Sequence, residues 1–330
     1  MIEQDIHTLV KKLTDLKSEV SKVIVGQEEV VEQIIIAMVA NGHALLEGVP
    51  GLAKTLMIRS VADAVNLAFK RIQFTPDLMP SDITGTEVLQ EDAESGKRYF
   101  KFIKGPIFAN IILADEINRT PPKTQAALLE VMQELEVTYA GTTYSMEPPF
   151  FILATQNPIE QAGTFTLPEA QLDRFLFYIR IQYPTAKDEF EILKKTTGRS
   201  TGKIEPVISK EDILQIQQLV KEVHIDDDLI QYVTDFVRAT RPAETSSQII
   251  KDWVKWGAGP RAGQAMILTA KGHALMNQRF SVTLDDLKKV APPVFRHRLM
   301  VNFKAEAKGV SSDSIIEQLL EEIQLKPSKM

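Results

Sequence analysis

Between Ala44 and Thr55 the chain reads A-L-L-E-G-V-P-G-L-A-K-T, an order of residue types that few folds accommodate. Ala44, Leu45 and Leu46 form a short apolar run, the pattern of a buried strand. Gly48, Pro50 and Gly51 break that run into a loop, and Lys54-Thr55 opens a helical stretch from Leu56 to Val65. Strand, glycine loop, Lys-Thr and helix form the context in which a phosphate-binding loop works. Glycines let backbone N–H groups approach phosphate oxygens, and the helix N-terminus adds the positive end of its dipole. Lys54 is placed to reach the β- and γ-phosphates, and the Thr55 hydroxyl to help hold Mg²⁺. The strict pattern has glycine directly before the lysine, where this chain has Ala53. A glycine-rich turn that binds nothing would look similar, so a second motif must decide.

That motif is Ile111-Ile112-Leu113-Ala114-Asp115-Glu116. An apolar run ending in two acids sets both carboxylates at the carboxyl end of a buried strand, where ligands sit in open α/β sheets. Asp115 is suited to holding Mg²⁺, directly or through water, and Glu116 to polarising an attacking water as general base. Together the two motifs specify an ATPase site.

The chain has 330 residues, enough for two domains. Its formal net charge of -6 gives no global reason to bind nucleic acid. The lack of cysteine excludes disulfides and thiolate ligands and fits a reducing, cytoplasmic setting. No basic start followed by an apolar core suggests a signal peptide, and no stretch approaches the roughly 20 apolar residues of a membrane span. His7, His43, His224, His273 and His297 are scattered without metal-ligand spacing.

In chain order, Ile2, Ile6, Leu9, Leu13, Leu16, Val20 and Val23 predict an amphipathic first helix, and packing on the core is its simplest role. Val25-Gly26-Gln27 interrupts it before a second helix, Glu28 to Ala40. Phe69 to Phe74, Asn110 to Ala114, Phe150 to Thr155 and Phe175 to Ile181 read as further strands. Two hairpins interrupt them, one pairing Glu87–Gln90 with Tyr99–Ile103 and one within Val137–Tyr144. Beyond Pro184 helices alone are expected, with Ser209 and Asp212 starting the first. The others span Asp226–Ala239, Arg261–Asn277, Thr283–Val290, where Pro292-Pro293 should stop the helix, and Ile315–Ile323.

Five ordered segments resemble the AAA+ ATPases, and closely their MoxR branch. They are Gly48–Thr55, Asp115–Pro122, Ala154–Asn157, Leu167–Phe175 and Gly259–Arg261. The resemblance runs from about Val25 to the terminal helices, and the branch tolerates alanine at position 53. It implies a P-loop α/β core with a parallel sheet flanked by helices (1–184), followed by a smaller all-helical lid (185–330). It also implies a nucleotide set of Gly48, Val49, Pro50, Gly51, Leu52, Ala53, Lys54, Thr55 and Leu56, with Val25 and Gly26 against the adenine. Asn157 matches the sensor-1 position, whose amide can orient the lytic water. Arg174 matches the arginine finger and Arg261 matches sensor 2, expected to reach the nucleotide bound between the domains. Arg119 is a possible further basic group at a subunit interface.

The resemblance further implies ATP and Mg²⁺, a homo-oligomeric ring of six, and protein clients that it matures or activates. A partner with a von Willebrand factor A domain and metal-cofactor insertion are versions of that role. A nucleic-acid motor would share every nucleotide motif. Lys97, Arg98, Lys101 and Lys104 on the first hairpin leave that reading open, while the second hairpin has no basic residue. A nucleotide-gated scaffold without turnover is the third reading, opposed by the presence of Glu116, Asn157 and Arg174.

Overall fold

The computed structural model describes residues 3–49, 51–91, 97–158, 164–197 and 203–325. Two helices, α1 (Glu3–Ser21) and α2 (Glu28–Val39), precede strand β1 (Ala44–Glu47) and helix α3 (Lys54–Ala64). Next come β2 (Phe69–Gln73), the short helix α4 (Pro80–Thr84) and the first hairpin, β3 (Gly85–Glu91) with β4 (Arg98–Lys104). Strand β5 (Ile111–Asp115) and helix α5 (Pro122–Glu134) lead to the second hairpin, β6 (Glu136–Tyr139) with β7 (Thr142–Ser145). Strand β8 (Phe151–Gln156), helix α6 (Glu169–Leu172) and strand β9 (Phe177–Arg180) complete the α/β part.

Five of these strands form one parallel sheet in the order β2-β5-β8-β1-β9. The inner strands β1, β5 and β8 are covered on both faces, which is why they read as apolar runs, whereas the edge strand β2 exposes Lys70 and Arg71. Successive residues serve opposite faces. Ala44, Leu46, Leu113, Leu153 and Ile179 pack with α1, α2, α3 and the lid. Leu45, Ile112, Ala114, Ile152 and Tyr178 pack with α5. The connections reverse direction around β1, so a crevice opens at the carboxyl ends of β1, β5 and β8.

Helix α1 buries Leu9, Val10, Leu13, Leu16 and Val20 against α2, α3 and two lid helices. Its apolar stripe belongs to the core.

After the sheet comes α7 (Ala186–Thr196), a helix unforeseen in the sequence although Thr185 and Asp188 form its capping box. Helix α8 (Lys210–Glu222) is capped by Ser209 and Asp212, as expected. Then follow α9 (Asp227–Ala239), α10 (Gln248–Trp253), β10 (Val254–Trp256) and α11 (Pro260–Met276). The last elements are α12 (Leu284–Phe295), β11 (Met300–Val301), α13 (Phe303–Lys308) and α14 (Ser312–Glu322). Strands β10 and β11 pair as a small antiparallel ribbon, an exception to the otherwise helical lid.

Helix α12 corrects the expectation that Pro292-Pro293 ends it. The helix passes through both prolines, and Arg296 N–H still donates to Pro292 O at 3.1 Å. Val290, Ala291, Pro293, Val294 and Phe295 are buried there, so packing outweighs the lost backbone bonds.

A polar knot ties α2 to the lid. His273 Nδ1 meets Asp286 at 2.6 Å, its Nε2 lies 3.5 Å from Glu32, and Arg279 pairs with the fully buried Asp286. Burial alone would lower the His273 pKa, but Asp286 and Glu32 outweigh it and hold the ring up at about 9. The same bond from His273 helps bring Glu32 down to about 2.

Candidate active site

The loop after β1 is shaped by two left-handed residues. Gly51 has φ +90°, and a Cβ there would meet nothing within 4 Å, so conformation and not crowding calls for glycine. Ala53 has φ 54° and precedes α3 without a side-chain cap. An alanine in that conformation costs roughly 1–2 kcal/mol, which explains why the strict pattern has glycine at this position. The uncapped first turn of α3 offers its N–H groups to an anion. Lys54 Nζ donates to Gly48 O at 2.6 Å, closing the loop on itself. Burial lowers the Lys54 pKa, and the nearby carboxylates of Asp115 and Glu116 oppose that shift. Thr55 follows in the first turn of the helix. Pro50 lies outside the described residues.

Across the crevice, β5 delivers Asp115 and Glu116. Asp115 is buried, and Thr155 Oγ1 donates to its Oδ1 at 2.6 Å. Arg71, reaching up from β2, donates to Asp115 Oδ2 at 2.6 and 3.1 Å. Glu116 is left-handed, with φ 59°, and its N–H donates to Thr155 Oγ1 at 2.8 Å. Its carboxylate accepts from Gln73 Nε2 at 3.0 Å and pairs with Arg119 Nε at 3.1 Å. Arg119 therefore turns back onto its own chain. Asn157 sits at the end of β8, 9% exposed, where Asn118 Nδ2 donates to its carbonyl at 3.4 Å.

Beside the loop lies a largely apolar cavity of about 350 Å³. Its lining includes Val25 and Gln27 before α2, Leu52, Ala53 and Leu56 of the phosphate loop and α3, and Leu193 of α7. Gly26 adjoins it at φ +72°, where a Cβ would come within 2.7 Å of Asp188 Cβ. Its position suits a flat heteroaromatic base attached to phosphates in the loop.

Arg174 and Arg261 do not join this cluster. Arg174 precedes β9 at the amino end of the sheet, where His43 precedes β1 and Phe150 precedes β8. There it lines a cavity of about 390 Å³ with Asn41, His43, Asp173, Arg261 and Arg298. At ~3.3 Å per residue, strands of four to six residues separate this end from the phosphate loop by about 13–20 Å. Arg174 Nη1 donates to Leu129 O at 3.0 Å, not to Asp173 or Glu169. Arg261 Nη1 stands 3.7 Å from Asp173 Oδ2. The expectation that Arg261 reaches the nucleotide of its own chain is thus corrected: the first turn of α11 faces the opposite end of the sheet.

The motif "ATPase family associated with various cellular activities (AAA)" matches residues 43–177, and "AAA lid domain" matches 246–319. The chain is 42% identical to Chaperone MoxR1 of Mycobacterium tuberculosis, covering 97% of this chain and 83% of that one. It is 40% identical to the uncharacterized protein YeaC of Bacillus subtilis, over 98% and 97% of the two chains. A crystal structure described as "a putative ATPase" from Cytophaga hutchinsonii superposes with TM-score 0.91 at 41% identity, covering 98% of each chain. The chain belongs to the MoxR family of AAA+ ATPases.

Three features of this MoxR-family site have no motif of their own. Thr155 holds Asp115 and Glu116, and although it falls within the Ala154–Asn157 segment, the only hint of that role is a hydroxyl near the end of an otherwise apolar strand. Arg71 occupies the open side of Asp115 from a neighbouring strand. Arg298, far along the sequence, is buried against the Arg174 segment. Each is placed by register or tertiary packing, which local pattern does not encode.

Proposed function

We propose that the chain binds ATP with Mg²⁺ and hydrolyses it in a head-to-tail ring of copies, a hexamer, to remodel protein clients. One observation carries this reading: the phosphate loop and acids lie at one end of the sheet, and Arg174 and Arg261 at the other. A ring brings the two ends together between neighbours.

Within one subunit, Lys54 exchanges Gly48 O for phosphate oxygens, and the α3 N-terminus supplies N–H donors. Thr55 and Asp115 are hard oxygen donors of the kind Mg²⁺ takes beside substrate phosphates. Arg71 now neutralises the Asp115 carboxylate, so a cation bound at Asp115 Oδ2 would take the place of that guanidinium. A Mg²⁺ ion held by Thr55 and Asp115 would supply positive charge against the phosphates. Glu116 accepts the proton of the attacking water, and Asn157 orients that water. Arg174 of the adjacent copy meets the charge developing on the γ-phosphoryl group, with Arg261 beside it.

The division into a nucleotide-binding core (1–184) and a lid (185–330) belongs to this proposal, with α7 closing the adenine side. The setting is cytoplasmic, and among the described residues no helix is long and apolar enough to cross a membrane. Clients, including a partner with a von Willebrand factor A domain or an apoprotein awaiting its metal cofactor, meet the first hairpin. Leu89, Tyr99 and Phe100 are exposed on it, Phe100 by 68%. Tyr139 and Tyr144 of the second hairpin are different: both pack on Phe102, Tyr144 with ring centroids 4.5 Å apart. They cover their own domain. On the first hairpin Arg98 pairs with Glu91 and Lys104 lies over the Phe108 ring, which weakens the nucleic-acid reading.

The test is a pair of variants. Lys54→Ala should lose tight ATP binding, whereas Glu116→Gln should keep it, lose turnover and trap clients in a pull-down. Equal loss of ATP affinity in both would contradict the assigned roles.

A further inference from the structure

Arg298 lies in the turn after α12, 8% exposed, and four of its five hydrogen bonds go to one short segment of the core. Nε donates to Asp173 Oδ1 at 2.7 Å, and Nη2 donates to Asp173 O at 3.2 Å and Phe175 O at 2.7 Å. Nη1 donates to Leu176 O at 3.3 Å and to Val294 O of the preceding α12 at 2.5 Å. The backbone carbonyls on both sides of Arg174 are therefore held by one guanidinium. The neighbouring lid residues add to the grip. His297 Nε2 donates to Phe175 O at 3.1 Å, and Arg296 Nη1 donates to Tyr178 O at 2.8 Å. No such bond reaches the Arg174 side chain, which leaves the clamped backbone to rest on Leu129 O.

A lysine could not do this. Its single ammonium lacks the planar fork that lets one side chain serve a carboxylate and several carbonyls. Burying a guanidinium is costly unless all its directions are satisfied, and here the acceptors are those of the segment carrying Arg174.

We infer that Arg298 is a positioning residue that fixes the backbone on both sides of Arg174, so that the lid of one subunit sets the arginine delivered to its neighbour's active site. This rests on the reading that Arg174 acts between subunits. Arg298 touches no reacting atom. Its effect should appear in the adjacent subunit's turnover and not in its own nucleotide binding.

The test compares Arg298→Lys and Asp173→Asn in the full chain, after sizing confirms that rings form. Both variants should bind a fluorescent ATP analogue within about 2-fold of wild type. ATPase should fall about 10- to 10²-fold for Arg298→Lys, as a loosened catalytic group predicts, and less for Asp173→Asn. Mixing either variant with Lys54→Ala subunits should restore turnover, because the variant's intact pocket is then served by a correctly held Arg174. A clamp that merely docks lid on core in its own subunit would not be rescued. An equimolar mixture of Arg174→Ala and Lys54→Ala is the control. Recovery in the control without recovery for the Arg298 and Asp173 variants overturns the inference alone. ATPase within about 2-fold of wild type for both variants overturns it as well. No recovery in the control overturns the intersubunit reading and this inference with it. Should Arg298→Lys fail to fold, Asp173→Asn, at a carboxylate 33% exposed, decides the matter.

Discussion

Replacing Thr155 with valine removes one hydroxyl and leaves the side chain's shape nearly unchanged. That hydroxyl is fully buried, donates to Asp115 Oδ1 at 2.6 Å and accepts from Glu116 N–H at 2.8 Å. A hydrogen bond to a charged group contributes about 1.5–3 kcal/mol, and a buried N–H left unpaired costs about 1–3 kcal/mol. Because both losses share one atom, we expect ~2–4 kcal/mol in all, or a Tm lower by roughly 3–6 °C. The catalytic effect should be larger than the effect on affinity. Lys54 and the α3 N-terminus are untouched, so ATP binding should stay within a few-fold. Glu116, held left-handed by that bond, loses its anchor, and a shift of about 1 Å in a catalytic group can cost ~10²-fold in rate. Steady-state ATPase and thermal melts of Thr155→Val and Thr155→Ser provide the assay, with serine expected close to wild type. A valine variant with wild-type kcat and Tm would refute the role given to Thr155, as would serine and valine failing alike.

The His273 knot predicts a pH dependence. Its folded pKa of about 9 lies above the ordinary 6.5, so its stabilisation is complete below about pH 6.5 and lost as pH rises through 9. Glu32, held at about 2 against an ordinary 4.5, contributes above pH 4.5 and is lost as pH falls towards 2. Melts between pH 6 and 9.5 should show a decline on the order of 2–3 kcal/mol, absent in His273→Gln; parallel curves would contradict this. On the first hairpin, Tyr99→Ala with Phe100→Ala should lower client remodelling while basal ATPase and Tm stay near wild type. Tyr144→Ala should instead destabilise the protein, through its stack on Phe102, by about 1–3 kcal/mol.

The sheet was legible because parallel strands buried on both faces must be nearly continuous apolar runs, as Ile111 to Ala114 and Phe151 to Ala154 are. The phosphate loop and the paired acids were legible because their chemistry demands fixed residue types at fixed local spacing. Helix α12 was misread at Pro292-Pro293, since proline's local cost is visible in sequence and the burial of Val294 and Phe295 that offsets it is not. Helix α7 had a readable capping box in Thr185 and Asp188 but followed a proline that suggested only an end. Arg261 is a first-turn helix arginine in any reading. Which end of the sheet it faces depends on how the lid docks, and that is set by contacts such as Arg298 with Asp173, 125 residues apart.

The central claim is that each active site takes its groups from two subunits. ATPase measured on mixed subunits tests it most directly. Arg174→Ala has an intact pocket without its arginine, and Lys54→Ala has the arginine without a pocket. Each alone should be nearly inactive, since an arginine finger contributes roughly 10³- to 10⁵-fold. In an equimolar mixture, random assembly of a cyclic ring places an intact pocket beside an intact arginine at about one interface in four, so activity should return to roughly a quarter of wild type. A mixture that co-assembles yet shows no more than the sum of the two variants alone would contradict the claim and confine Arg174 to its own subunit.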